Sequence, residues 1–564
     1  MRWTVKKTHQ PEVVQNLQKK LNVHPLIAML LEQRGVQTFE EARDFFRPTL
    51  EQLHDPFLMK DMDKAVQRVA QALENQERIL VFGDYDVDGT TAVALMASYL
   101  RSIGAEVDTY IPDRYAEGYG ISTQGIDYAE DNEMTLIIAL DCGIKSIDKI
   151  EYAQSKNIDF VICDHHLPGK ELPDAVAVLD PKRTDCLYPY KELCGCGVGF
   201  KLVQALGTLN GQTILDLIPY LDLVATAIAA DIVPITGENR VLAYFGLQVI
   251  NQDPRPGLLA LKKMHAKTHF TITDVVFKIA PKINAAGRIK HGNFAVKLLT
   301  EFNLKQAEKV ATEIDVFNTD RKELDQKITK EALSQITELN EENTASTVVY
   351  SEGWHKGVIG IVASRLIENY YRPTLVFTKS GDYLVASARS VKGFDMYEAL
   401  EACSEHLVQF GGHTHAAGLT LLPENFQDFK DAFEVYTLKN LPEEAKTEEL
   451  EIDAIVDFNE LTDRNLRILK QFEPHGPGNM SPVFLTHNVF DIGTAKCLGK
   501  ENEHLSLFVK QNNSKGYSAI GFRMGEMLDV TRNLKLMQLV YTLSENEWKD
   551  KVTLQLQLKD LRVI

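Results

Sequence analysis

The sequence predicts a multidomain α/β protein that finishes in a small β-barrel. Three observations carry this. From Ile79 to about Asp231, short apolar runs alternate with helical patterns, which predicts a parallel sheet with crossover helices. From Leu304 to about Leu339, one long helical pattern runs without Gly or Pro. After residue 450, a series of alternating β stretches follows, at the spacing of a small barrel, for which the OB fold is the natural candidate.

The totals bound what such a chain does. With 564 residues, several domains are expected. A net charge of -18 argues against coating nucleic acid through a general basic surface, though not against confining positive charge to one channel. No apolar run is long enough for a bilayer; the longest, around Leu223 to Ile235, is broken by Asp231 and Pro234. The N-terminus, MRWTVKKTHQPEVV, lacks the apolar centre of a signal peptide. Seven cysteines, odd in number and widely spread, fit a reducing cytosol better than a disulfide framework. A cytoplasmic protein without membrane contact is expected.

In chain order, residues 1–75 read as a mostly helical packing or lid segment. Thr38 and Glu41 there are spaced as a capping box. A catalytic α/β domain is expected over 76–302. Its strands are Ile79–Phe82, Glu106–Ile111, Leu136–Leu140, Phe160–Cys163 and Ala175–Leu179. Helical patterns lie between most of them, as in Ala92–Ile103 and Ile147–Lys156. The connecting helix is expected over 303–342 and a second α/β unit over 343–441. A charged linker, PEEAKTEE, precedes the barrel at 450–564.

The chemistry is concentrated where strands end. ILVFGDYDVDGTTA (Ile79 to Ala92) runs from an apolar strand into Asp84, Asp86 and Asp88. In an extended chain, alternate residues share a face, so the three carboxylates converge. They make either a divalent-cation site or a solvated acidic loop. Later segments favour the cation. ALDCGI delivers Asp141, VICDHH delivers Asp164, His165 and His166, and AADIVP delivers Asp231. In parallel sheets ligands lie beyond the carboxyl ends of the strands. Carboxylates with one imidazole suit two ions such as Mg²⁺ or Mn²⁺. Cys142, Cys163, Cys194 and Cys196 lack the matched spacing of a zinc site and read as small core residues and a tight turn.

FGDYDVDGTTA, ALDCGI, VICDHH and AADIVP resemble, in order, the motifs of the DHH phosphoesterase superfamily. PKINAAGR (Pro281–Arg288) and FGGHTHAAG (Phe410–Gly418) are similar to motifs of its RecJ branch, the second to the glycine-rich motif of the DHHA1 domain. The resemblance runs from about residue 40 to the end. It implies a DHH domain, a connecting helix, a DHHA1 domain and an OB-like barrel. It further implies a 5′→3′ exonuclease that releases nucleoside 5′-monophosphates from single-stranded DNA in repair and recombination.

By the family's pattern, Asp141 bridges two metals, Asp86 and Asp88 each bind one, and His165 and Asp231 complete one shell. Asp84 is left open between metal ligand and supporting acceptor. Asp164 orients an imidazole, His166 faces the substrate phosphate, and no separate side-chain base is expected. Arg288 is implied to contact a phosphate near the metals. Arg114, Ser387, Arg389 and His413 are implied to receive the 5′-phosphate and the strand. Implied partners are single-stranded DNA with a 5′ end, a single-strand-binding protein and a RecQ-type helicase, with the enzyme a monomer. Longer family members carry a further C-terminal domain; this chain is expected to lack contacts made there. Two alternatives remain: a phosphatase or short-oligonucleotide hydrolase of the same superfamily, and a non-catalytic scaffold that keeps the fold.

Overall fold

The computed structural model describes residues 1–532, 535–548 and 551–564. It divides into two units, one of Leu50–Glu448 and one of Met1–Thr49 with Glu449–Ile564. The chain opens with strand β1 (Arg2–Val5) and three helices, Pro11–Leu21, Pro25–Glu32 and Phe39–Phe46. The last starts with the expected Thr38/Glu41 capping box.

The larger unit begins with a five-stranded sheet of β2 (Arg78–Gly83), β3 (Val107–Tyr110), β4 (Met134–Leu140), β5 (Asp159–Cys163) and β6 (Ala177–Leu179). All pairings are parallel and the spatial order is β3-β2-β4-β5-β6. β2, β4, β5 and β6 are near-continuous apolar runs because both faces are covered, whereas the edge strand β3 is VDTY. Ile79, Val81, Leu136 and Ile138 pack in one core with the helices Val87–Ser102, Gly195–Leu209 and Leu221–Ala230. Leu80, Phe82, Ile137 and Phe160 pack in another with Thr123–Asp131 and Ile147–Ser155. The chain reverses its direction of winding between β2 and β4, the place where an open α/β sheet leaves a crevice. Asp84 and Asp141 follow those two strands directly.

A 35-residue helix, Leu304–Glu338, spans about 50 Å. Its first half gives Ala307, Val310 and Ile314 to the core of the first sheet, and its second half gives Ile328, Ala332 and Ile336 to the next domain. One helix is thus shared by two cores. That second domain is built on β7 (Thr347–Tyr350), β8 (Thr374–Ser380), β9 (Tyr383–Arg389), β10 (Gln409–His413) and β11 (Ala416–Leu421). Their order is β10-β11-β9-β8-β7, with only the β7–β8 pairing parallel.

The smaller unit carries β12 (Glu449–Ile452), β13 (Ala454–Ile455), β14 (Val483–Asp491), β15 (Lys496–Leu498), β16 (His504–Gln511), β17 (Tyr517–Gly521), β18 (Met537–Trp548) and β19 (Lys551–Val563). The ring β14-β18-β19-β17-β16 closes through the additional β14–β16 pairing, and β17 runs parallel to β19. This is the five-stranded Greek-key closure of an OB barrel. The first three helices pack into the same core: Leu17, Ile27 and Leu31 join Leu507, Tyr517 and Tyr541. β1 pairs in parallel with β12. The chain's start is therefore built into the barrel unit. No helix among the described residues is long and apolar enough to cross a membrane.

Candidate active site

The three aspartates of GDYDVDG converge, but not through strand alternation. Asp84 directly follows β2, Asp86 caps the helix Val87–Ser102 by accepting from Gly89 N (3.1 Å), and Asp88 lies in its first turn. A strand-to-helix turn is the geometry. Gly89 is required by it, since a Cβ there would sit 2.4 Å from Asp84 O. The Asp88 carboxylate is buried and accepts from Gly195 N (2.6 Å) and Cys196 N (2.7 Å), so the CGCG turn is its clamp.

Asp141 follows β4 with φ of 60°, a strained conformation that Asp tolerates better than most residues. Its N–H still donates to Cys163 O at 2.9 Å, so ladder bonding extends to the site itself. Asp231 corrects the expectation of a strand end: it is the C-terminal cap of the helix Leu221–Ala230. The run LDLVATAIAA is mostly apolar because it is a helix buried on all sides, a case that hydrophobicity alone does not separate from a strand. Ile232, next in line, has φ of 60° where Gly or Asn is usual, so backbone strain flanks this residue too.

These groups meet at one imidazole. His165 Nε2 lies 3.1 Å from Asp141 Oδ1, 3.7 Å from Asp231 Oδ2 and 3.8 Å from Asp88 Oδ2. Donor atoms of Asp88, His165 and Asp231, and those of Asp141, His165 and His166, lie close enough to share an ion. The electrostatics agree. Burial, then mutual repulsion, raises the carboxyl pKa of Asp88 to about 7 and of Asp231 to about 8, and puts Asp84 and Asp141 well above the usual range. Burial lowers His165 to about 3, which keeps the imidazole neutral as a ligand must be. Asp84 Oδ1 and Asp141 Oδ1 are buried without a hydrogen-bond partner among the described residues. Cations would satisfy these oxygens and remove the repulsion, so the donor set fits divalent ions.

Asp164 is a hub of another kind. It accepts from Ile144 N (2.9 Å), His165 N (2.7 Å) and His166 N (3.2 Å), and its Oδ1 lies 2.7 Å from His166 Nδ1. Despite its burial, these bonds and the His166 ring hold the carboxyl at about 2, while the pair raises His166 above its ordinary value. The imidazole that Asp164 orients is that of His166. The other ring nitrogen of His166 lies 3.2 Å from Tyr119 Oη.

The second half of the site is a cluster of arginines. Arg288 donates to Gly357 O at 3.0 Å. Burial, with the like charges of Arg114, Arg321 and Arg389, depresses it to about 10. Arg389 donates to Ser387 Oγ (3.0 Å), and a Cβ on Gly360 would meet both side chains. Arg114 stacks over the Tyr85 ring, 4.6 Å from its centroid. Tyr115 Oη donates to Arg288 O. His413 shares a row with Arg389 through the pairings His413↔Ala416 and Ala416↔Arg389. Two residues along, on the same face, the row is Ser387, Gly418 and Gly411, and a Cβ at Gly411 would meet nothing within 4 Å, so the floor there is bare backbone. Arg321 is paired with Asp325 (3.1 Å), whereas Arg114, Arg288 and Arg389 have no carboxylate ion pair among the described residues, a set that suits an anion.

The structure thus gathers the expected acids and His165, and sets Arg114 and Arg389 close enough to Arg288 to lower its pKa, with Ser387 bonded to Arg389 and His413 on the row of Arg389. Sequence reasoning passed over Tyr119, Asp180 and Arg321. Asp180 follows β6 directly and was legible as one more carboxylate at a strand end. Arg321 was hidden in a helix rich in charge. On the barrel, Phe484 and Tyr517 are buried, whereas Phe508 and Phe522 are exposed.

Comparison with known proteins matches three family models: DHH family, N-terminal domain, at residues 78–228; DHHA1 domain at 343–437; and RecJ OB domain at 452–560. The single-stranded-DNA-specific exonuclease RecJ of Bacillus subtilis (strain 168) is 36% identical over 568 residues, covering 100% of this chain and 71% of that one. RecJ of Escherichia coli (strain K12) is 32% identical, covering 95% and 96%. The crystal structure of Thermus thermophilus RecJ in complex with Mn²⁺ superposes with a TM-score of 0.85 at 27% identity, over 100% of this chain and 79% of that one. Its complex with Mg²⁺ gives 0.79 at 26% identity.

Proposed function

Because the chain belongs to the RecJ family of DHH phosphoesterases, we propose that it is a metal-dependent exonuclease specific for single-stranded DNA, degrading it 5′→3′ to nucleoside 5′-monophosphates. The observation that carries this reading is the His165 imidazole set among Asp88, Asp141 and Asp231 beside a cluster of arginines. One set of donors would hold the ions at which a phosphodiester is hydrolysed, and the other captures a phosphate.

Asp88, His165 and Asp231, with Asp141, Asp86 and Asp84 beside them, would hold the Mn²⁺ or Mg²⁺ ions. Two such ions would supply polarisation of the phosphoryl group and acidification of water, which leaves no need for a side-chain base. His166, aligned by Asp164 and raised in pKa, donates to a non-bridging phosphate oxygen. Asp88 is kept in place by two backbone N–H groups, so its position costs little reorganisation during reaction. Arg288 is anchored to Gly357 O and reaches the scissile phosphate from the arginine side. Arg389 with Ser387, and Arg114 held on Tyr85, receive the terminal 5′-phosphate. His413 and the glycine floor face the strand. Exposed Phe508 and Phe522 on the barrel offer stacking surfaces for unpaired bases. DNA repair and recombination in the cytoplasm is the proposed setting.

The test is substrate preference in Mn²⁺. The reading requires progressive trimming of a long 5′-phosphorylated single strand, with the duplex spared and Asp141→Ala inert. Hydrolysis confined to dinucleotides or pyrophosphate would instead indicate a small-substrate phosphoesterase.

A further inference from the structure

The turn after β6 holds a cation for which the residues above leave no task. Asp180 is fully buried, and its Oδ1 accepts from Lys182 N at 2.7 Å. Arg183 is committed to structure, donating to Val178 O (2.6 Å), Asp61 Oδ2 (2.6 Å) and Asp185 Oδ2 (2.8 Å). The backbone on both sides of Lys182 is therefore fixed. Its own ammonium makes no hydrogen bond or ion pair among the described residues. Yet the strand end that leads to it is tied to the one that carries His165, Asp164 N donating to Leu179 O at 2.9 Å, so it stands beside the candidate metal ligands. In a chain of net charge -18, a half-buried ammonium near carboxylates but bonded to none suits an anion brought from outside.

Sheet order supplies the register. The loop bearing Arg114 follows β3 at one edge, the proposed metal ligands other than Asp231 follow β2, β4 and β5, and Lys182 follows β6 at the other edge. At about 4.8 Å per strand, the two edges lie roughly 19 Å apart. That is room for consecutive phosphates of one extended strand. With the 5′-phosphate at the arginine edge and the scissile group over the middle strands, the chain must leave across β6.

Resting on the exonuclease reading above, we propose that Lys182 binds the phosphate immediately 3′ of the scissile one and so sets the register of the strand. Release of the first nucleotide is measured in single turnover with full-length protein, in Mn²⁺, on two 5′-phosphorylated single strands. One has native linkages; the other has a neutral methylphosphonate at the second linkage, leaving the first intact. On the native strand Lys182→Ala loses about five- to tenfold, as for a partly exposed charge-assisted contact, and Lys182→Arg retains most of the rate. Parent protein loses a similar factor on the neutral strand, and Lys182→Ala loses nothing further there. Mn²⁺ affinity of Lys182→Ala is unchanged or tighter, because a nearby positive charge has been removed. Equal losses on both strands, no loss on the native strand, or weakened Mn²⁺ binding each overturn the inference. A parent protein that releases no 5′ nucleotide from the native strand brings down the exonuclease reading itself, and the register with it.

Discussion

Gly195 gives the sharpest handle on the proposed metal centre. Its N–H holds Asp88 Oδ2 at 2.6 Å, and a Cβ placed on it would lie 2.5 Å from Asp141 Cβ, 2.7 Å from its Oδ1 and 2.8 Å from its Cα. Carbon atoms pack at about 3.5–4.0 Å, so Gly195→Ala must displace Asp141 or the helix start by about 1 Å. Asp141 cannot absorb this cheaply, being already at φ of 60° and tied by its N–H to Cys163 O. Overpacking of this kind costs about 1–3 kcal/mol of stability. A 1 Å misplacement of a catalytic group costs on the order of 10²-fold in rate. Gly197→Ala is the control: its nearest contacts would be 3.4–3.6 Å, ordinary van der Waals distances, and the helix gains up to about 1 kcal/mol in propensity. The assay pairs thermal melting with Mn²⁺ titration of single-strand degradation. Gly195→Ala is expected to remain folded, bind Mn²⁺ more weakly and lose about two orders of magnitude in rate, while Gly197→Ala matches the parent. A Gly195→Ala protein with parental rate and Mn²⁺ affinity would refute the reasoning, because the two proposed ligands could then not depend on that close approach.

Other outcomes follow from the same geometry. Without metal, Asp88 and Asp231 keep their protons in the folded state up to about pH 7 and 8, whereas the unfolded chain loses them near pH 4. The folded state then binds more protons, so the chelated protein loses stability as pH rises from about 4 to 8. Adding Mn²⁺ should raise the melting temperature more at pH 8 than at pH 5.5, and a rise independent of pH would contradict this. Arg389→Ala should lower the rate on 5′-phosphorylated strands about tenfold and abolish the preference for them over 5′-hydroxyl strands; a retained preference would place the phosphate elsewhere. Phe508→Ala with Phe522→Ala should weaken binding of long single strands by about 1–3 kcal/mol per lost stack, leaving the rate on very short oligonucleotides unchanged, as titration of both lengths will show.

The catalytic sheet was legible because buried parallel strands are continuous apolar runs, and the residues that end them are polar for a reason other than packing. Asp84, Asp141 and Asp164 could be read this way, and Asp180 by the same rule had it been carried one strand further. The long helix declared itself by its period. Asp231 was placed in the right neighbourhood on the wrong element, because a helix buried on every side shows no polar face to fix its period. Arg321 was beyond reach, since a cation among many on a charged helix carries no local mark of its neighbours. The union of the first helices with the barrel was also unreadable: the β1–β12 pairing joins residues nearly the whole chain apart, as in Arg2↔Glu449, and local pattern says nothing about such distant partners.

The most direct test of the central claim uses one 5′-phosphorylated single strand labelled at either end, incubated with the full chain in Mn²⁺. The expected result is that 5′ label appears at once as mononucleotide, that 3′-labelled strand shortens stepwise, and that EDTA or Asp141→Ala stops both. Mononucleotide appearing first from the 3′ label, or degradation that persists in EDTA, would contradict it.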